Sequence, residues 1–322
     1  MWIPLFFGRP KAFFVLARGA ENTKQRGAFV EFFASLLVSG ISLGGQYALI
    51  AIGYTMVYGI LRLINFAHGD VFMVTGMIVI YMSTVLPWYV AIPLAVLATV
   101  VLGGTIERTA YKPLRSAPRM SVMISAIGVS YLLQNLMTYI TAGQPQYFPN
   151  NSIPFLSKTV TIFGTPTQWA KLITPVIVAI LVVALTYLIN HTKIGMAMRA
   201  VSKDFETSQL MGIKINSVIS TTFVIGSCLA AVGSVLYFSN FSVIVPTSGA
   251  LPGLRAFVAA VVGGIGSIPG AVVGAFVVGI CESLIRGTSL ATFADAFTFA
   301  LLIIILVVKP TGLFGEKTTD KV

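Results

Sequence analysis

Stretches of apolar residues about as long as a bilayer is thick recur along this chain, and they leave few folds open to it. Leu172–Asn190 and Ser217–Phe238 are the clearest of them. Crossing the hydrocarbon core takes roughly 20 residues of helix. Backbone polar groups find no partners in lipid, so only helices and closed barrels can span it. These runs are continuous and rich in Leu, Ile and Val rather than alternating, which selects helices over a barrel. Of 322 residues, 56% are hydrophobic and only 10% charged, against about 25% charged in a soluble domain. The expected fold is all-α, a polytopic membrane helix bundle of about eight membrane segments, some of them broken or re-entrant.

The formal net charge of +11 raises nucleic acid as a partner, but the placement of the basic residues argues for none. Arg108, Lys112, Arg115 and Arg119 fall in one loop, and Lys193, Arg199, Lys203 and Lys214 in another. Both loops are thereby assigned to the cytoplasm. Residues 1–27 form an expected basic, poorly ordered cytoplasmic tail, 28–308 the transmembrane domain and 309–322 a cytoplasmic C-terminal tail. The loop Gly143–Lys171 carries few charges and is assigned outside, where Asn150-Asn151-Ser152 matches a glycosylation acceptor by chance composition. Ser239–Leu254 reads as a second external loop. Cys228 and Cys281 lie inside apolar runs and read as packing residues.

Three places break the hydrophobic pattern. Ala28–Ile64 is too long for one span and is punctuated by glycines, which predicts two helical pieces broken near Gly44–Gly45. Asn65, His68, Gly69 and Asp70 then form the densest polar cluster near membrane depth. It reads either as a cytoplasmic turn with an Asp N-cap or as a broken helix facing a translocation path, with a proton relay through His68 and Asp70 as a further alternative. In Gly263-Gly264-Ile265-Gly266-Ser267-Ile268-Pro269-Gly270, the glycines and Pro269 predict a helix–break–helix that must be buried in protein or face water. Gly270 and Gly274 beyond it, with Ala271, Ala275 and Gly279, permit close helix approach. Glu282 and Arg286 are spaced to pair.

Between the two clearest apolar runs lies a polar island, Thr192–Asn216. Ile194, Met198, Val201 and Phe205 draw one apolar stripe along a helix, and Gly212 sits where a C-cap glycine would stop it. Such a helix suits docking into a groove on a soluble partner; equally, it could lie against the lipid headgroups.

Catalytic chemistry has little to work with. His68 and His191 are far apart, and no Cys/His or paired-carboxylate constellation appears. The glycine-rich break lacks the Lys-Ser/Thr ending of a phosphate-binding loop. No catalytic residue, metal ligand or cofactor is expected, and ATP hydrolysis, if it powers transport, belongs to a separate chain.

Three ordered motifs give the chain a family resemblance: INFAHGDVFM at Ile64–Met73, GMAMRAVSKDFETSQLMGI at Gly195–Ile213, and GLRAFVAAVVGGIGSIPGAVVG at Gly253–Gly274, with KPTGLFG at Lys309–Gly315 closing the sequence. Together they resemble the permease subunits of bacterial high-affinity branched-chain amino-acid ABC importers, the Liv type. Lys309 stands where the family usually has Arg, and Thr207-Ser208 where alanines are commoner. The resemblance implies an ABC importer permease fold in the cytoplasmic (inner) membrane. It implies as partners a second related permease, two cytoplasmic ATP-binding subunits and a periplasmic or extracellular amino-acid-binding protein, besides membrane lipid. It places ATPase coupling on Gly195, Arg199, Ala200, Asp204 and Gly212. Asn65, His68, Gly69 and Asp70, with Gly263, Gly264, Gly266 and Pro269, are assigned to the translocation path or the helix break beside it. Urea, amides or other amino acids are alternative cargoes on the same architecture, and a stand-alone ion-coupled secondary transporter is the alternative from another class.

Overall fold

The computed structural model describes residues 23–115, 117–147, 156, 158–162 and 165–315. Most of the expected N-terminal tail, the end of the C-terminal tail and Asn150–Ser152 lie outside these. The helices are α1 (Thr23–Leu61), α2 (His68–Ser83), α3 (Trp88–Ile106), α4 (Arg119–Thr141), α5 (Trp169–His191), α6 (Lys193–Lys203), α7 (Phe205–Leu210), α8 (Ile215–Asn240), α9 (Ala250–Gly263), α10 (Ile268–Arg286) and α11 (Ala294–Val308). Among the described residues, seven helices are long and apolar enough to cross a membrane, while α2 and α9 are shorter apolar helices. The chain is a polytopic helical membrane bundle.

The core is α1, buried along most of its length by α8, α9 and α10. Contrary to the expected break near Gly44–Gly45, α1 is one continuous helix of 39 residues. The glycines serve packing instead. A Cβ at Gly44 would sit 2.8 Å from the Phe276 Cα, and one at Gly279 would sit 2.3 Å from the Gly44 backbone nitrogen. The small residues of α10 therefore pack within this chain as closely as backbones allow, Ala275 and Gly279 against Gly44 of α1, and Gly270 and Gly274 against Gly263 and Ala259 of α9.

Charge fixes the orientation. The two basic loops meet through Arg115, which donates to Asn216, and the end of α1 reaches the polar island through Arg62 Nη2 to the Ser202 carbonyl at 3.3 Å. The other half of α1 lies beside the outer end of α5, where Lys171 donates to Ser39 at 3.2 Å. Thr23 is thus at the end of α1 opposite the basic loops.

Two further expectations are corrected. Ser239–Leu254 is not wholly an external loop, because α9 already begins at Ala250. The outer segments also hold short strands that the turn-rich sequence did not announce: β1 (Gln146–Tyr147) pairs with β4 (Val243–Ile244), and β2 (Thr159–Ile162) with β3 (Thr165–Gln168), both antiparallel. Cys228 and Cys281 are free thiols.

Candidate functional site

The site is built on two half-helices. After Leu61 the chain turns at Arg62, whose φ of 55° is in the left-handed region, and climbs back into the bundle. His68 comes to rest against Gly53, eight residues up α1 from its end, or roughly 12 Å at helical rise. The Asn65–Asp70 cluster is therefore a break buried within the bundle and not a solvated turn. Asn65, His68 and Asp70 are all at least 96% buried. With 16 and 14 residues, α2 and α9 extend about 24 and 21 Å, each short of a roughly 30 Å hydrocarbon core.

Their N-termini meet. A Cβ at Gly69 would be 2.6 Å from the Gly249 carbonyl oxygen, and one at Gly249 only 2.2 Å from the Gly69 carbonyl oxygen. Only glycine permits this approach. Two positive helix ends converge there, and their first turns are satisfied by specific partners. The Asn65 carbonyl accepts the His68 N–H at 3.1 Å where α2 starts, and the Thr247 carbonyl accepts the Ala250 N–H at 3.1 Å where α9 starts. Asp70, in the first turn of α2, complements the dipole rather than capping the helix. Its carboxylate accepts from Ser130 Oγ and, at 3.0 Å, from Gln134 Nε2, both on α4.

A relay through His68 and Asp70 has no geometry here. The imidazole faces α1 and α8, edge-on to Tyr54 at a 5.1 Å centroid distance, with its Nε2 unbonded. The carboxylate points the other way, to α4.

The second break is sealed by the C-terminal segment. Gly264 and Gly266 take φ of 108° and 100°, Pro269 opens α10, and Ser267 caps it by accepting the Gly270 N–H at 3.2 Å. The carbonyls of Val262 and Gly263, left without helical partners, accept the N–H groups of Leu313 and Phe314 at 2.9 Å each. Two sequence motifs are thus one structural unit. Just above it Arg255 of α9 is 6% exposed and pairs with fully buried Glu282 at 3.2 Å and with Asp295 of α11. Tyr47 donates to Glu282 at 2.9 Å, and Arg286 pairs with the same carboxylate at 2.8 Å. The expected Glu282–Arg286 pair is present, but Arg255 as its centre was not anticipated.

The polar island is two short helices rather than one. Asp204 is extended (φ −150°, ψ 111°), ending α6. Its carboxylate caps α7, accepting the Thr207 N–H at 3.0 Å and the Thr207 hydroxyl at 2.6 Å. Asp competes with the helix for its own backbone and favours caps, so it interrupts the stripe. Met198 and Val201 are buried, whereas Ile194 and Phe205 are 50% and 43% exposed. Gly195 tucks α6 beneath α5, its missing Cβ leaving room for the Ile189 backbone at 2.3 Å. Arg199 donates to the Asn190 carbonyl at 3.3 Å, Ala200 accepts the Asp204 N–H at 3.1 Å, and Gly212 ends α7 with a φ of 82°. Met196, Leu210 and Met211 stand 63%, 87% and 79% exposed on this helix pair. Replacing Asp204 with alanine removes the cap at a cost of about 1 kcal/mol, and faster amide exchange across Phe205–Leu210 is the expected result.

A final cluster, unforeseen in the sequence, lies behind the breaks. A π-helical turn, Glu107–Tyr111, follows α3. Glu107, 1% exposed, accepts from Arg115 and from Ser220 of α8 at 2.9 Å. Tyr111 donates to Asn65 Oδ1 at 2.7 Å. The sequence shows only a basic loop here, because nothing in its spacing marks one carboxylate as buried.

A multi-pass helical membrane protein with paired half-helices at its centre and an exposed helix pair between two spans has the architecture of a transport permease. The model of the family described as branched-chain amino acid transport system / permease component matches residues 36–306. The chain is 39% identical over 300 residues to the high-affinity branched-chain amino acid transport system permease protein BraD of Pseudomonas aeruginosa, covering 89% of this chain and 97% of that one. It is also 39% identical over 307 residues to LivH of Escherichia coli K12, covering 90% and 98%. A ribose import permease protein, RbsC of Haemophilus influenzae, is 26% identical over 281 residues, 84% of this chain and 83% of that one. This chain belongs to the branched-chain amino acid transport permease family.

Proposed function

We propose that the chain is the membrane-spanning subunit of an ATP-driven importer carrying leucine, isoleucine and valine across the cytoplasmic membrane. It works beside a second related permease, two cytoplasmic ATP-binding subunits and an external amino-acid-binding protein. The observation carrying this reading is the 39% identity to BraD and LivH along nearly the whole of each chain. The exposed apolar side chains of α6 and α7 support docking of the ATP-binding subunits, since Met196, Leu210 and Met211 cluster beside the basic residues of this loop with no cover from the rest of the chain. Gly195, Arg199, Ala200, Asp204 and Gly212 shape that docking element, and Arg199, Asp204 and Gly212 are also exposed on it. The half-helix junction at Gly69 and Gly249 is the point where the path opens and closes, as discontinuous helices do in other transporters. Hydrolysis belongs to the partners. Expressed with its partner subunits in cells lacking their own branched-chain importers, the chain is expected to restore uptake of labelled leucine. Competition by isoleucine and valine, but not by urea or ribose, supports the cargo; competition by urea or ribose alone would assign a different one.

A further inference from the structure

We propose that the π-helical turn Glu107–Tyr111 is a mechanical link between the docking helices and the half-helix junction, with Glu107 and Tyr111 as positioning residues for transport. The inference rests on the proposed docking of ATP-binding subunits to α6 and α7.

The link is continuous, and Glu107 and Tyr111 at its centre are buried. The docking pair ends at Gly212 and passes directly into α8 at Ile215. The first turns of α8 are held to the π turn by two side chains: Ser220 donates to Glu107 at 2.9 Å, and Arg115, paired with Glu107, donates to Asn216. At the other end of the same turn, the Tyr111 hydroxyl donates to Asn65 Oδ1 at 2.7 Å, and the Tyr111 ring packs on Phe223 at a 5.0 Å centroid distance. Asn65 in turn supplies the backbone carbonyl that accepts the His68 N–H and so starts α2. Glu107 is 1% and Tyr111 2% exposed, so neither bond exchanges with water, and breaking either one leaves a buried polar group unsatisfied.

The turn itself supplies the second state that a coupling claim requires. A π turn carries one residue more than an α turn, and such bulges concentrate at functional sites. Relaxing it to α-helix would rotate everything beyond it by about 100°, carrying Tyr111 off Asn65. A displacement of the α8 first turns that pulls on Glu107 biases this register, and Asn65 reports it to the junction. The opposite direction follows by reciprocity.

The test uses the full chain purified in membrane nanodiscs with its ATP-binding and permease partners, and hydrogen exchange followed with and without Mg-ATP. In the unaltered chain, ATP is expected to change exchange in both 193–213 and 62–72. In Tyr111→Phe, which loses one hydroxyl and keeps the ring, the 193–213 response persists while the 62–72 response shrinks about fivefold or more. Glu107→Gln, which removes the charge that pairs with Arg115 and so weakens the link at its other end, shifts the 62–72 response in the same direction. Asn65→Ala combined with Tyr111→Phe is expected to impair uptake no further than the worse single variant. An intact 62–72 response in both Tyr111→Phe and Glu107→Gln overturns the link while leaving docking in place. No response of 193–213 in the unaltered chain overturns docking, and the link with it.

Discussion

Replacing Arg255 with alanine is expected to destabilise the folded bundle by about 3–5 kcal/mol, the usual cost of breaking a buried pair from one side. Arg255 sits where α9, α10 and α11 meet, and it faces Glu282, Asp295 and the Tyr47 hydroxyl together. Removing the guanidinium leaves Glu282, which is fully buried, with Arg286 and Tyr47 as its remaining partners. Lysine restores the charge but not the planar fork that spans two carboxylates, so Arg255→Lys is expected to recover only part of the loss. Thermal unfolding of the detergent-solubilised protein measures both. The double variant Arg255→Met with Glu282→Met removes the stranded charge and should be more stable than Arg255→Ala. Equal stability of Arg255→Ala and the unaltered chain would show that the network bears no structural load.

The second large effect is expected at Gly249. Its backbone and that of Gly69 touch where α2 and α9 begin, and any Cβ at Gly249 would fall 2.2 Å from the Gly69 carbonyl oxygen. Neither neighbour is the end of a flexible side chain, so the helices must part. Gly249→Val is expected to abolish leucine uptake, while Gly59→Val, at a position where a Cβ meets nothing within 4 Å, leaves it unchanged. Uptake per inserted molecule, with insertion checked by immunoblotting of membranes, separates a lost junction from a lost protein.

The physics that made the fold legible is hydropathy. Membrane-length apolar runs, basic loops and the glycine-rich break each follow from the cost of unsatisfied backbone or charge in lipid, and the structure places helices and breaks accordingly. Glycine was the ambiguous letter. At Gly264 and Gly266 it marks positive φ and a real break, whereas at Gly44 it marks a helix crossing, and one sequence cannot distinguish a residue needed for its backbone angle from one needed for its missing side chain. Asp204 misled for a related reason: hydrophobic spacing ran through it, but its side chain prefers capping to continuing a helix. The polar site was half visible. Asn65, His68, Gly69 and Asp70 stood out by density, while their partners Tyr54, Tyr111, Ser130 and Gln134 are ordinary helix residues until the fold brings them close. Glu107 and Arg255 were hidden for the same reason, since burial is a property of the packed bundle.

Coupling to ATP is tested most directly by purifying the chain with its partner permease and ATP-binding subunits, and following ATP hydrolysis as binding protein is added empty or loaded with leucine. Hydrolysis that rises with the loaded protein, and is lost when Met196, Leu210 and Met211 are changed to aspartate, is the predicted result. A chain that associates with no ATP-binding subunit, yet still carries leucine across a sealed vesicle, would contradict it.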